Sequence, residues 1–192
     1  NQFSNFLFER LLNKSNEEND EFFYNIQFVF ITGLARSGTT ALLNKIYSSG
    51  QVPSILYSHM PFILSPKLAN FFSKTFNKET LNKIERFHND GIFINNRSPE
   101  CLEEIYWIKA DKKYNKSNFY QSKEITYKHL KGYGYLLSKY SSDNKRTKLV
   151  IKNNNNHVRL LSLSKYFKNS TFLVLFRDPL THSYSLYKQH QN

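Results

Sequence analysis

Phe28-Val29-Phe30-Ile31-Thr32-Gly33-Leu34-Ala35-Arg36-Ser37-Gly38-Thr39-Thr40 is the stretch that decides the fold of this chain. Its first half is an unbroken run of aromatic and β-branched residues, the composition of a strand buried on both faces inside a parallel sheet. Gly33 and Gly38 then free the backbone for a tight turn. Thr39 to Ser49 reads as a helix with Leu42, Leu43, Ile46 and Tyr47 on one stripe. A strand, a glycine turn and a helix N-terminus present unpaired amides and the positive end of a helix dipole to an anion.

The spacing from Gly33 to Gly38 is that of a nucleotide-binding P-loop, but Thr39 stands where the lysine should follow the second glycine. An ATPase or kinase uses that lysine on the transferred phosphate, so a simple NTPase reading loses its main cation. The cation here is Arg36, inside the loop. A second anchor follows later. Lys148 to Lys152 reads as a strand, Asn153 to Asn156 as a polar turn, His157 to Phe167 as a helix and Thr171 to Phe176 as another buried strand. Strand, crossover helix and strand imply parallel pairing. Arg177-Asp178-Pro179 comes next, with Asp178 suited to capping a helix and Pro179 to its first turn. On that helix Leu180, Tyr184 and Tyr187 share one face and Ser185 projects from another, within reach of a ligand.

Gly33-Leu34-Ala35-Arg36-Ser37-Gly38-Thr39-Thr40 resembles the 5′-phosphosulfate loop of sulfotransferases that use 3′-phosphoadenosine 5′-phosphosulfate (PAPS). Arg177, with Ser185 eight positions later and Asp-Pro between them, resembles that family's 3′-phosphate motif. The resemblance runs from about Phe28 to Tyr187, with the motifs in the family's order. It implies an α/β, three-layer P-loop-like fold with a central parallel sheet flanked by helices. It further implies that Gly33, Arg36, Ser37, Gly38, Thr39, Thr40, Arg177 and Ser185 bind PAPS and its product PAP (adenosine 3′,5′-bisphosphate), without a metal. Ala41 follows Thr40 where cytosolic steroid and phenol enzymes often carry a tryptophan, so the wording is closer to bacterial, carbohydrate or tyrosylprotein-type members.

Sulfuryl transfer needs cations where negative charge collects and a base for the acceptor proton. Arg36 fits the first role, and Lys152 resembles the family lysine that contacts the bridging or sulfuryl oxygen. For the base, His59 is preferred, because it follows Ser54-Ile55-Leu56-Tyr57, read as a strand, near where tyrosylprotein-type members carry a glutamate. It also titrates close to neutrality. Glu100 and Glu104 are alternatives, and Asn154 and His157 are reserves. The acceptor is a hydroxyl of a glycan, small molecule, lipid or peptide tyrosine. The competing reading is a P-loop nucleotide kinase or NTPase with an altered loop.

At 192 residues the chain is read as a single domain lacking its C-terminal part. The net charge of +12 suits an anionic cofactor, acidic glycans or nucleic acid, but the lysines form no aromatic-basic repeat, and no nucleic-acid partner is expected. The single cysteine, Cys101, rules out an intrachain disulfide. No run approaches the about 18 apolar residues of a membrane span, and a cytoplasmic location is expected. Elsewhere, Phe3 to Leu12 reads as a helix with Phe3, Phe6, Leu7 and Leu11 inward and Phe8 a further candidate for that face, followed by a loop over Asn13 to Asp20. Leu81, Ile84 and Phe87 read as a helical stripe, Ser98-Pro99-Glu100 as a helix start, and Lys123 to Tyr140 as a helix weakened by Gly132 and Gly134.

Overall fold

The computed structural model describes residues 2–19, 25–76, 83–85, 91–111, 124–142 and 147–191. In chain order the elements are α1 (Gln2–Glu17), β1 (Gln27–Gly33), α2 (Thr39–Ser48), α3 (Pro66–Phe76), β2 (Ile84–Glu85), β3 (Phe93–Ile94), α4 (Glu104–Ala110), α5 (Tyr127–Ser142), β4 (Lys148–Lys152), α6 (Leu160–Tyr166), β5 (Thr171–Leu175) and α7 (Pro179–Gln191). Short 3-10 turns cover Tyr57–His59 and Asn154–Arg159.

The apolar run of β1 occupies the centre of a parallel sheet of order β4-β1-β5. Alternation sends its side chains to both faces. Phe28 and Phe30 pack against Phe167, Phe172 and Tyr133 on the side covered by α1 and α5. Ile31 meets Leu43 of α2 and Val150 on the other. Helices on both faces of a parallel sheet make three layers, as the P-loop-like reading requires. Both outer strands run parallel to β1, with Ile31 opposite Lys152 and Gly33 opposite Leu175. The parallel orientation of β4 and β5 is as expected, although β1 lies between them.

Helix α5 forms despite Gly132, and the glycine stands there because a side chain has no room. A Cβ at Gly132 would sit 2.5 Å from Leu12 Cδ2 and 2.6 Å from the Tyr106 hydroxyl, so α1, α4 and α5 approach each other closely at this point.

Several local expectations are corrected. Helix α1 continues to Glu17, and its buried stripe is Leu7, Phe8, Leu11, Leu12 and Ser15, leaving Phe3 and Phe6 exposed. Ser54 to Tyr57 forms no strand; Leu56 makes one isolated bridge to Pro99, which has no N–H with which to extend a ladder. Ser98 does not open a helix, because Tyr57 N donates to its carbonyl and Glu100 N donates to Ile55 O; α4 starts at Glu104. Ile84 pairs with Ile94 in a short antiparallel ladder, while Leu81 and Phe87 lie outside the described residues, as do Asp20, Lys112, Lys123 and Lys145. Helix α5 begins at Tyr127, and the expected helix over 157–167 divides into a 3-10 turn and α6. Strand β5 is less buried than its composition suggests, with Val174 exposed, as is Phe176 just beyond its end, and β1 is its one strand partner among the described residues. No helix among these residues is long and apolar enough to cross a membrane.

Candidate active site

Because β4, β1 and β5 are parallel, their C-terminal ends open on one edge of the sheet, where α/β proteins bind ligands. Lys152 ends β4, Gly33 ends β1, and Arg177 follows β5. Between them lies a cleft of about 370 Å³ whose walls include Arg36, Ser37, Gly38, Thr39, Thr40, Lys152, Asn154 and Arg177. Three cations, Arg36, Lys152 and Arg177, therefore face one cavity beside the N-terminus of α2.

The loop leaves polar groups open to the cleft. Gly38, at φ 95, occupies the N-cap of α2 and offers no side-chain cap. Ser37 is buried, and its hydroxyl has no hydrogen-bond partner among the described residues. That hydroxyl lies 2.7 Å from where a Gly33 Cβ would stand, so the glycine makes the space the serine uses. An orphaned buried hydroxyl on a cationic wall fits a ligand with phosphate or sulfate oxygens. Thr39 Oγ1 donates to Asn154 Oδ1 at 2.9 Å, tying the start of α2 to the turn after β4.

Helix α7 closes the third side. Asp178 Oδ1 accepts from Thr181 N at 3.0 Å, the cap its sequence promised, and that bond holds the Asp178 carboxyl below its ordinary range. One turn further on, Arg36 Nε donates to Ser185 Oγ at 3.2 Å, so the glycine loop and the segment after β5 touch directly. His182 Nε2 meets Ala35 O at 2.6 Å, and Gln189 lines the cleft. Positions 182, 185 and 189 follow the i, i+3, i+7 rule for one helix face. That periodicity was available in the sequence, yet His182 and Gln189 carry no motif to draw attention to them.

Behind Lys152 lies a braced polar layer. Lys152 Nζ pairs with Glu100 Oε1 at 3.1 Å, with both side chains largely buried. Arg159 holds Glu104 in bidentate fashion at 2.7 and 3.0 Å and stacks over Trp107. Asn153 Nδ2 donates to Glu104 and Glu103, fixing the turn that delivers Asn154. Glu103 is fully buried, and burial pushes its carboxyl up from 4.5 to about 8. Burial, with Glu103 beside it, likewise raises the Cys101 thiol. Between pH 4.5 and 8 the unfolded chain releases the Glu103 proton while the native chain keeps it, so native stability falls as pH rises through that window. Glu103→Gln keeps the oxygen that Asn153 binds and removes the titration. The variant should match the parent in melting temperature near pH 5 and exceed it by several degrees at pH 8. Parallel melting curves for the two proteins across this range would contradict the account of Glu103.

His59 is placed differently from the other selected residues. It is buried, its Nδ1 accepts the Leu56 N–H at 3.0 Å, and its ring packs on Tyr140 with centroids 4.9 Å apart. It is not among the residues that line the cleft. His157 Nδ1 bonds to Asn154 O at 2.7 Å. Among the described residues, no group of three or more His, Cys, Asp or Glu side chains is arranged to hold a metal ion.

Comparison with known proteins gives one match. The model of a family described as "Sulfotransferase family" matches residues 28–192, from the start of the β1 run to the end of the chain. No curated protein and no solved structure matches.

Proposed function

The chain belongs to the sulfotransferase family, and on that premise we propose that it moves the sulfuryl group of PAPS to the hydroxyl of an acceptor. The observation that carries this reading is the 3.2 Å contact between Arg36 and Ser185, with Arg177 on the wall of the same cleft. It brings a loop suited to a 5′-phosphosulfate against a helix suited to a 3′-phosphate.

The loop amides around Gly33 and Gly38, with the hydroxyls of Ser37, Thr39 and Thr40, would hold the phosphosulfate end. Arg177 and Ser185 would hold the ribose phosphate. When bound, the nucleotide supplies a sulfuryl group whose bond to the phosphate oxygen breaks as the acceptor oxygen bonds to sulfur. Arg36 and Lys152, both on the cleft wall, would supply positive charge where negative charge then collects. The acceptor proton needs a base, and we assign it to Glu100, which does not itself line the cleft but pairs with Lys152, which does. His59, preferred on sequence, already uses Nδ1 as an acceptor for Leu56 N–H. Candidate acceptors are glycans, small alcohols and tyrosine-containing peptides.

The test is a transfer assay with PAPS and these acceptor classes in the presence of EDTA, following acceptor-dependent release of PAP. Glu100→Gln should lower kcat about 100-fold while PAP affinity changes little. If His59→Gln produces that loss and Glu100→Gln does not, the base role returns to His59. Acceptor-independent hydrolysis of magnesium-ATP, with no use of PAPS, would overturn the reading as a whole.

A further inference from the structure

The loop that faces the cleft contains a strained turn, and the residue that holds it lies on another element. Ser37 N donates to Leu34 O at 3.1 Å, which makes 34–37 a hydrogen-bonded β-turn. Arg36, its third residue, has φ 68 and is the one non-glycine residue with positive φ among those described. Ala35 therefore has negative φ, and the turn is of type II. That type asks for glycine or asparagine at its third position, because an L side chain there costs roughly 1 kcal/mol or more. An arginine would adopt a type I turn without this cost. The two types differ by a flip of the central peptide, here the one joining Ala35 to Arg36.

His182 opposes that flip. It is buried on α7, and its Nε2 lies 2.6 Å from Ala35 O, a distance and partner that require Nε2 to carry the proton and donate. The carbonyl and amide of a trans peptide point in opposite directions. Drawing the Ala35 carbonyl back onto α7 leaves the Arg36 N–H directed away from the helix. In a type I turn the carbonyl would be reversed, exchanging an amide donor for a partial negative charge where the oxyanion is to be held.

We propose that His182 is a positioning residue whose Nε2–H locks the Ala35–Arg36 peptide in the orientation that offers the Arg36 amide to the 5′ end of the nucleotide. The contact also joins the two motifs a second time, beside the bond from Arg36 to Ser185. The inference rests on the PAPS reading, since it concerns how the same loop binds the same anion.

The experiment titrates PAP and adenosine 3′-monophosphate into the full chain, His182→Ala and His182→Gln, with melting temperatures recorded without ligand. His182→Ala should bind PAP about tenfold or more weakly. Adenosine 3′-monophosphate has no group for the loop and should bind the variant as it binds the parent. Glutamine, which carries a donor at comparable reach, should restore most of the PAP affinity. Equal PAP affinity in parent and His182→Ala overturns the positioning role while leaving the sulfotransferase reading intact. So does an equal loss for both nucleotides accompanied by a lower melting temperature and no rescue by glutamine. A parent chain that does not bind PAP overturns the PAPS reading itself, and the role of His182 with it.

Discussion

Arg36→Ala should lower sulfuryl transfer about 1000-fold, the scale lost when a group that stabilises transition-state charge is removed from a phosphoryl-type site. Thr39 occupies the position where a nucleotide-hydrolysing loop would carry its lysine, so Arg36 is the cation contributed by the loop itself. Its Nε–H is engaged with Ser185 Oγ, which orients the rest of the guanidinium beside the cleft. Removing it deletes both a charge and one of the two links, beside that of His182 to Ala35, between the two halves of the proposed site. Arg36→Lys is an informative companion. It keeps the charge but not the fork of N–H donors that can grip Ser185 and an oxyanion together, and its activity should stay well below that of the parent. Steady-state kinetics with PAPS checks both, and a loss below tenfold for the alanine variant would remove Arg36 from the mechanism.

The second large effect is on folding. A Cβ at Gly33 would stand 2.3 Å from Leu175 O and 2.7 Å from Ser37 Oγ. Leu175 O belongs to the backbone of β5, which is paired with β1 at this residue, so relief requires moving the strand. Gly33→Ala should cost about 3 kcal/mol and lower the melting temperature by roughly 10 °C, with PAP binding lost as β5 and Arg177 shift. Gly50→Ala serves as the control. Gly50 also has positive φ, 71, but a Cβ there meets nothing within 4 Å, so the substitution should cost only about 1 kcal/mol of backbone strain. Similar melting temperatures for the two variants would mean that the close approach of β1 and β5 does not constrain Gly33.

The parts of this architecture that were legible in the sequence are those whose signal is local. Phe28 to Ile31 is apolar throughout because both faces of β1 are covered, and Asp178-Pro179 carries its own cap. Gly33 and Gly38 mark the loop because a Cβ at Gly33 would collide with Leu175 O and the backbone at Gly38 has φ 95. Features fixed by distant partners were not legible. Leu56 looked like part of a strand, but the segment opposite it contains Pro99. Phe3 and Phe6 share the apolar character of Leu7, Phe8 and Leu11, and tertiary packing selected the stripe that extends to Leu12 and Ser15 instead. Nothing local in the sequence marks Glu103 as buried; its partner is Asn153, 50 positions away. The site divides in the same way. Arg36, Ser37, Arg177 and Ser185 stand in recognisable motifs, and the structure lines the cleft with three of them and joins the fourth to Arg36. The partnership of Lys152 with Glu100 spans 52 positions and leaves no local trace.

Titration calorimetry of PAP against adenosine 5′-monophosphate, both with EDTA, tests the central claim most directly. If the cleft holds both ends of one nucleotide, the added 3′-phosphate brings charge-assisted contacts from Arg177 and a hydroxyl contact from Ser185, and PAP should bind about 100-fold more tightly. Equal affinities for the two nucleotides, or binding seen with magnesium-ATP alone, would contradict it.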